Sequence, residues 1–324
     1  MLGAALALLS AVTFGMNNAA ARRGVVTGSV LQGLAVSVPI GVPLFALLCL
    51  VTGGFTALAQ FSGDSWLWFA AAGLVHFIVG RYGNYRANKC MGAALSSPFQ
   101  QMSLLVALLL ALIFLDDFLT PLKVVGIVLV FLGPAVMLRG RGKPKKQSKG
   151  PEFTPNYPEG ILWGLVCAFG YGVSPLMVQY GLAGGGMVDS IAGGLLSYGA
   201  ATIAVLAILA LPGNTAHVRG VERGNAKWFL ASGFFVFLAQ LFRYMALAVA
   251  PVSVVVPVQR LSVVFRVIFS WMLNREHEVI TFWVIAGIFI SFLGALALTI
   301  STEFILQLVP LPDAIAEIAR WRWP

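Results

Sequence analysis

The stretch YRANKCMGAALSSPFQQMS, residues 85–103, returns in altered form as YMALAVAPVSVVVPVQRLS, residues 244–262. Residues of the same type occupy aligned positions: Tyr85 with Tyr244, Ala87 with Ala246, Pro98 with Pro257, Gln100 with Gln259, and Ser103 with Ser262. A shared apolar composition explains matched alanines, but it does not explain an ordered series that includes tyrosine and glutamine. We therefore predict that the chain contains an internal repeat.

The composition places this repeat in a membrane. Of the 324 residues, 59% are hydrophobic and only 10% are charged, and mean hydropathy is +0.89, whereas soluble domains carry roughly 25% charged residues. The net charge of +9 does not indicate nucleic acid, because most Lys and Arg residues fall between apolar runs, where they orient membrane spans and meet anionic lipid. The lipid bilayer is thus an expected partner and nucleic acid is not, while a homodimer is left open.

The three cysteines, Cys49, Cys90 and Cys167, lie singly in apolar segments. They have neither the pairing of a disulfide framework nor the spacing of zinc ligands. We therefore expect no metal site and no cofactor.

Ten segments are apolar over the roughly 20 residues that a crossing helix needs. They cover residues 2–21, 30–52, 66–83, 91–114, 121–138, 160–180, 188–211, 228–248, 252–273 and 279–299. Such long apolar runs exclude the alternating strands of an outer-membrane barrel. The first segment resembles a signal peptide, but it lacks a basic beginning and a similar segment recurs inside the chain, so we predict a retained helix.

Residues 139–159 are basic and rich in Pro and Gly, which is typical of a linker. They separate a first five-helix repeat, residues 1–138, from a second, residues 160–300, and residues 301–324 are predicted to form an amphipathic tail. Further glycines align between the repeats: Gly3 with Gly160, Gly15 with Gly172, Gly24 with Gly181, Gly126 with Gly287, and Gly133 with Gly294. Because five is odd, the second copy enters the membrane from the opposite side. The predicted fold class is all-α integral membrane, with ten transmembrane helices in two inverted five-helix repeats, a recurrent transporter design.

Three features occur in both halves: a helix with a central proline, Pro98 or Pro257; an acidic turn with Asp117 or Glu278; and a final helix with glycines seven residues apart. With these features the chain resembles the drug/metabolite transporter superfamily, and within it the ten-helix EamA type. The resemblance implies a multi-pass carrier of a small metabolite or drug-like solute in the bacterial inner membrane. The family usually has Glu in the acidic turn, so Asp116 and Asp117 are a departure; we interpret this turn as a cap for the following helix.

The orientation in the membrane rests on the charges of the connections. Lys and Arg residues are plentiful in the odd-numbered connections and scarce in the even-numbered ones. The positive-inside rule then places the central linker in the cytoplasm and both termini outside. The family resemblance implies the reverse, with both termini in the cytoplasm, and this arrangement stays open.

Arg260 lies near the middle of the predicted ninth span. A charge at that depth costs about 2.5–3.5 kcal/mol on insertion scales, so it normally faces the bundle interior or a wet cavity. We predict that Arg260 faces a central substrate cavity together with Gln259, Gln100 and Gln101, a patch of donors suited to a carboxylate or phosphate. The alternative is a structural arginine that pairs with backbone carbonyls where Pro257 breaks the helix.

Other candidates come from polar residues at similar depths in the two halves. The predicted substrate-binding residues are Asn17, Asn18, His76, Tyr85, Gln100, Gln101, Ser174, Tyr244, Gln259 and Arg260, and the predicted hinges are Pro98, Pro175 and Pro257. Tyr85 and Tyr244 are expected to close over a substrate from two sides. His76 has the alternative role of an interhelical hydrogen-bond donor, and Arg266 lies on another face, from which it can reach the interface.

No Asp or Glu falls in the interior of a predicted span, and Asp189 lies at the edge of one. A buried carboxylate that exchanges a proton is the usual coupling device for export of cationic drugs, so its absence favours a neutral or anionic metabolite, such as an amino acid or organic anion. We predict a transporter, not an enzyme, that exports such a solute by alternating access. The alternatives are an integral membrane enzyme acting on lipid-linked substrates, a multidrug exporter and a non-transporting scaffold.

Overall fold

A computed structural model describes residues 2–114, 119–139, 153–250, 255, 258–278, 280–308, 312, 316–318 and 320–321. Within these ranges the chain is helical and forms no sheet, which confirms the predicted all-α class. Seven helical segments of the described chain, two of them made of consecutive helices, are long and apolar enough to cross a membrane: Leu2–Thr27, Val30–Thr52, Ala93–Leu110, Pro121–Arg139, Tyr157–Leu182, Met187–Leu209 and Arg223–Val249. A shorter apolar helix covers Phe282–Leu298.

The described residues of the first half form nine α-helices. These are α1 (Leu2–Thr27), α2 (Val30–Ser37), α3 (Gly41–Thr52), α4 (Gly54–Gln60), α5 (Gly63–Gly73), α6 (Arg81–Met91), α7 (Ala93–Gln101), α8 (Ser103–Phe114) and α9 (Pro121–Arg139). A π-helical segment, Leu74–Gly80, joins α5 to α6, so the predicted third span extends as one helical rod to Met91. Gly92 then turns the chain into α7 with φ 90°, a left-handed value that favours glycine.

The second half begins after the linker. Its helices are α10 (Tyr157–Leu182), α11 (Met187–Leu209), α12 (Asn214–Arg219), α13 (Arg223–Val249), α14 (Ser262–Asn274), α15 (Phe282–Thr299) and α16 (Thr302–Leu308), with a 3₁₀ turn at Arg275–His277. Helices α10 and α11 begin at polar caps: the Asn156 side chain accepts from the Glu159 N–H before α10, and Asp189 accepts from the Gly186 N–H before α11.

Two helices lie centrally because small residues let other helices approach them. Helix α1 packs against α13 and α14, and α10 packs against α5, α6 and α8. A Cβ at Gly15 of α1 would lie 2.9 Å from the Arg266 backbone nitrogen, and one at Gly172 of α10 would lie 2.5 Å from the Ser103 carbonyl oxygen. No larger side chain fits at either crossing.

Helices α9 and α15 form a second close pair. A Cβ at Gly133 would lie 2.6 Å from the Gly287 carbonyl oxygen, and one at Gly294 would lie 2.9 Å from the Gly126 carbonyl oxygen. The glycines that recur every seven residues therefore form the contact between these helices. Large apolar side chains such as Leu50, Val51 and Phe282 remain exposed on the outside, as expected of a surface that meets lipid tails.

The predicted ninth span, residues 252–273, differs from the structure. Its described helix, α14, begins at Ser262, and Arg260 lies in the preceding turn rather than in the middle of a continuous helix. The Val263 N–H bonds the Arg260 carbonyl three residues back, the tighter pattern that ends α-helical geometry. The predicted hinge Pro257, most of the linker and parts of the tail lie outside the described residues.

Candidate functional site

A cavity of about 850 Å³ lies among α1, α7, α8, α10, α13 and α14. One end is lined by buried residues such as His76 and Arg266, whereas Gln179 and Ser301 at the other end are exposed. Gln179 is in the last turn of α10, whose first residue, Tyr157, follows the linker. The cavity therefore opens at the end of the molecule opposite the linker.

Seven of the predicted site residues line this cavity: Asn18, His76, Gln100, Gln101, Pro175, Gln259 and Arg260. They come from α1, the π-helical segment, α7, α10 and the turn before α14, so the fold brings together residues that are far apart in sequence. That they bind a substrate stays a prediction.

The two phenols predicted to face the cavity do not line it. Tyr85 is fully buried among α2, α6 and α13, and its hydroxyl accepts a hydrogen bond from Arg81 Nη2 at 2.7 Å. Tyr244 packs in an apolar cluster with Phe69 and Leu196. Tyr85 lies on the face of α6 that is turned toward α2 and α13. The sequence did not predict this position, because the third span was expected to end at residue 83.

Three further predicted residues lie beside the cavity without lining it. Asn17 Oδ1 accepts from Arg81 Nη1 at 3.3 Å. Ser174 Oγ lies 2.9 Å from His76 Nδ1 and so holds a side chain that does line the cavity. Pro98 is buried inside α7.

Arg81 had no assigned role at the sequence level, because it fell at the edge of the predicted third span. Its guanidinium is fully buried and donates to neutral acceptors: Ser37 Oγ at 3.2 Å, Asn17 Oδ1 at 3.3 Å, Tyr85 Oη at 2.7 Å and Ser232 Oγ at 3.1 Å. It also lies 4.8 Å from the centre of the Tyr85 ring. Arg81 thus joins α1, α2, α6 and α13 and has a structural role.

Arg266 lines the cavity, although the sequence favoured a position at the membrane interface. Its Nη1 donates to Gln100 Oε1, and its Nη2 donates to Asn88 Oδ1 and, at 2.7 Å, to Ser96 Oγ. The side chain is buried. Helix α14 packs against α1 and α7, and most of the Arg266 donors are already engaged by the protein.

Arg243 and Arg260 line the same cavity with fewer partners. Arg243 Nη1 makes one long hydrogen bond, 3.4 Å, to Gln240 Oε1, and its Nη2 is buried without a partner in the described part of the chain. Arg260 Nε is likewise buried without a partner among the described residues. Arg243 and Arg260 therefore have more N–H donors without an acceptor than the other arginine of the cavity, Arg266.

His76 is held on both sides of its ring. Gln240 Nε2 lies 2.5 Å from His76 Nε2, and the ring stacks on Tyr171 with centres 4.6 Å apart. Because the Gln240 amide N–H donates to Nε2, the neutral tautomer with a proton on Nδ1 satisfies the contact with Ser174. This arrangement matches the alternative reading of His76 as an interhelical hydrogen-bonding residue.

The walls of the cavity carry positive charge. Its lining includes the basic residues Lys123, Arg243, Arg260 and Arg266, and no Asp or Glu of the described ranges is among the lining residues. Because Arg243 and Arg266 are buried, their positive charges attract anions more strongly than charges at a protein surface would.

The end of the molecule near the linker is closed by a buried ion pair. Arg22 Nε lies 3.4 Å from Glu278 Oε1, and neither side chain is accessible beyond 1%. Glu278 also accepts from the N–H groups of Ala93 at 2.7 Å and Ala94 at 2.9 Å. Burial raises the pKa of the Glu278 carboxyl, while Arg22 and the two N–H groups oppose that rise.

The position of Glu278 corrects the expectation that it caps the following helix. It caps α7 of the other half, and Thr281 Oγ1 accepts from the Val284 N–H at the start of α15. Arg22 extends the junction, because Nη1 donates to the Asn88 carbonyl at 2.6 Å and Nη2 to the His277 carbonyl at 2.6 Å.

The apolar helices, long enough to cross a membrane, and the internal cavity that they enclose are typical of a multi-pass membrane protein. The chain belongs to the EamA-like transporter family, whose model matches residues 1–139 and 158–300, and hence to the drug/metabolite transporter superfamily. A solved structure, titled only as the crystal structure of a protein, is similar in fold: it is 19% identical with a TM-score of 0.59, and the match covers 91% of this chain and 96% of that one. No curated protein matches this chain.

Proposed function

We propose that the protein carries a small anionic metabolite across the bacterial inner membrane by alternating access, with export as its direction. The observation that carries this proposal is the cavity wall, in which Arg243, Arg260 and Arg266 line the space and no described carboxylate accompanies them. Because buried charges require compensation, the complement to this wall is an anion such as an organic acid. A cationic drug would meet repulsion from the same guanidiniums.

We also propose that the fold comprises ten membrane helices in two inverted repeats. Helix α1 contacts α13 and α14, and α10 contacts the corresponding helices of the first half, α5 with α6 and α8. A Cβ at Gly24 would lie 2.5 Å from the Phe229 ring, and one at its partner in the alignment, Gly181, would lie 3.0 Å from the Phe69 ring. These equivalent contacts support a pseudo-twofold relation between the halves.

The contact between α9 and α15 supports the same relation. Gly126 lies against Gly294, and Gly287 lies against Gly133. Exchanging each glycine for its partner in the alignment turns the first contact into the second, as expected of two elements that meet on a twofold axis.

Alternating access accounts for the two different ends of the cavity. The end near Gln179 is open, and the opposite end is closed by Arg22, Glu278 and the backbone around Asn88. If the linker is cytoplasmic, as the charge count favours, this conformation is open to the outside. Rocking of one repeat against the other would then open the linker end and close the mouth.

Uptake into vesicles tests the proposed function. The purified chain is reconstituted and supplied with labelled organic anions, amino acids, sugar phosphates and cationic drugs. We expect flux of an anion, and we expect Arg260→Ala to abolish it while membrane insertion and thermal stability are retained. Flux of cationic drugs alone, or group transfer on a lipid-linked substrate without flux, would contradict the proposal.

A further inference from the structure

We propose that the substrate of this cavity is a dianion, and that Arg243 and Arg260 each bind one of its two negative charges. This inference rests on the proposed function, and it narrows the substrate from any small anion to one with two anionic groups. Dicarboxylates and phosphate monoesters share this chemistry.

The polar atoms that lack a partner in the cavity wall are all of one type. Among the described residues that line the cavity, buried side-chain atoms lack a hydrogen-bond partner at Gln101 Nε2, Arg243 Nη2, Arg260 Nε and Arg266 Nε. All four are N–H donors. A buried donor without an acceptor costs about 1–3 kcal/mol, so the ligand that completes this site must supply several acceptor oxygens.

The arginines differ in what their guanidiniums already bind. Arg266 donates to Gln100, Asn88 and Ser96, which occupies both terminal nitrogens and leaves Nε. Arg243 has a single 3.4 Å contact to a neutral amide, and the Arg260 side chain makes no hydrogen bond to any described residue. Arg266 is therefore held mainly by the protein, whereas Arg243 and Arg260 have terminal N–H donors for a ligand.

The charges of the two arginines also favour a dianion. Arg243 and Arg260 line the same cavity, and no described carboxylate lines it with them. A monoanion would leave one of the two guanidiniums uncompensated in a poorly hydrated site. A dianion compensates both and gains a second charge-assisted contact.

Matched ligands that differ only in charge test this inference. The probes are succinate against succinamate, which share a four-carbon skeleton, and methyl phosphate against dimethyl phosphate, all at pH 8, titrated into the full chain in nanodiscs. We expect the dianion of at least one pair to bind about tenfold more tightly than the monoanion of that pair, because it makes one more charge-assisted hydrogen bond. The pair that responds identifies the dianion as a dicarboxylate or a phosphate ester.

Variants assign the preference to the two residues. Arg243→Gln and Arg260→Gln should each reduce the tenfold ratio to below about twofold, and Arg260→Lys, which keeps the charge, should restore part of it. Arg320→Gln, which removes an exposed arginine paired with Glu303, should keep the full ratio. A ratio near one in the unchanged protein for both pairs, or a ratio that survives in both glutamine variants, would overturn the dianion assignment. Anion flux in vesicles together with a ratio near one would leave the proposed function intact and refute only this inference.

Discussion

Buried arginines in this protein differ in what surrounds them, and this difference separates structure from function. Arg81 and Arg266 are engaged by neutral oxygens of several helices, and Arg22 is paired with Glu278. Arg243 and Arg260 make fewer hydrogen bonds: the Arg243 guanidinium has one, of 3.4 Å, and Arg260 Nε has no partner among the described residues. We therefore assign ligand binding to the two arginines that the protein engages least.

The hydroxyl of Tyr85 provides a test at the scale of one residue. It accepts from Arg81 and lies 2.9 Å from both Ser37 Oγ and Ser232 Oγ. Tyr85→Phe should lower the free energy of unfolding by about 1–3 kcal/mol, because buried polar partners lose a hydrogen bond, and anion flux should persist. Thermal unfolding in detergent and vesicle flux measure the two effects.

Tyr180→Phe is the matched control, because Tyr180 is exposed and its loss of a hydroxyl should leave the unfolding midpoint unchanged. If Tyr85→Phe lost anion flux while its stability stayed normal, Tyr85 would instead have the substrate-binding role predicted from the sequence.

Among the helices, the close pair of α9 and α15 depends on residues without side chains. A Cβ at Gly133 would lie 1.8 Å from Ser291 Oγ and 2.6 Å from the Gly287 carbonyl oxygen. Gly133→Ala should therefore separate the two helices and destabilise the protein by about 1–3 kcal/mol, which a lower unfolding midpoint would report.

Gly199→Ala supplies the comparison within α11. A Cβ there meets nothing within 4 Å, and alanine favours a helix by up to about 1 kcal/mol over glycine, so this variant should be as stable as the parent or more so. Equal effects of the two substitutions would contradict the proposed role of the α9–α15 contact.

At the scale of the whole molecule, the junction of Arg22 and Glu278 closes the linker end. Glu278→Gln would leave a buried guanidinium without its carboxylate, so we expect this end to open more often. Cys90 adjoins the junction, since its neighbour Lys89 accepts from Arg22 through the backbone at 3.2 Å. A membrane-impermeant maleimide should label Cys90 several-fold faster in this variant, in a background where Cys49 and Cys167 are alanine.

The control for this experiment is Glu303→Gln, which breaks the exposed pair with Arg320 and should leave Cys90 labelling unchanged. Equal labelling rates for Glu278→Gln and the parent would mean that the ion pair does not hold the linker end closed.

The amino-acid sequence by itself determined the helical membrane class, the EamA family and seven of the residues that line the cavity. It could do so because the length of an apolar segment indicates directly whether it can cross the bilayer. In addition, a polar residue within such a segment is costly where it faces lipid, so it is expected to face the protein interior. The series of matched residues in the two halves also led to the inverted repeat, which remains our proposal.

Only the tertiary structure decided which polar residues turn toward the cavity and which are engaged in packing. Tyr85 packs against Phe229 and Tyr244 packs against Phe69, so neither phenol lines the cavity, whereas Arg266 does line it. The pairing of Glu278 with α7 joins residues 185 positions apart. Such choices depend on how helices cross and rotate against one another, and the apolar length and composition of a single span do not encode that rotation.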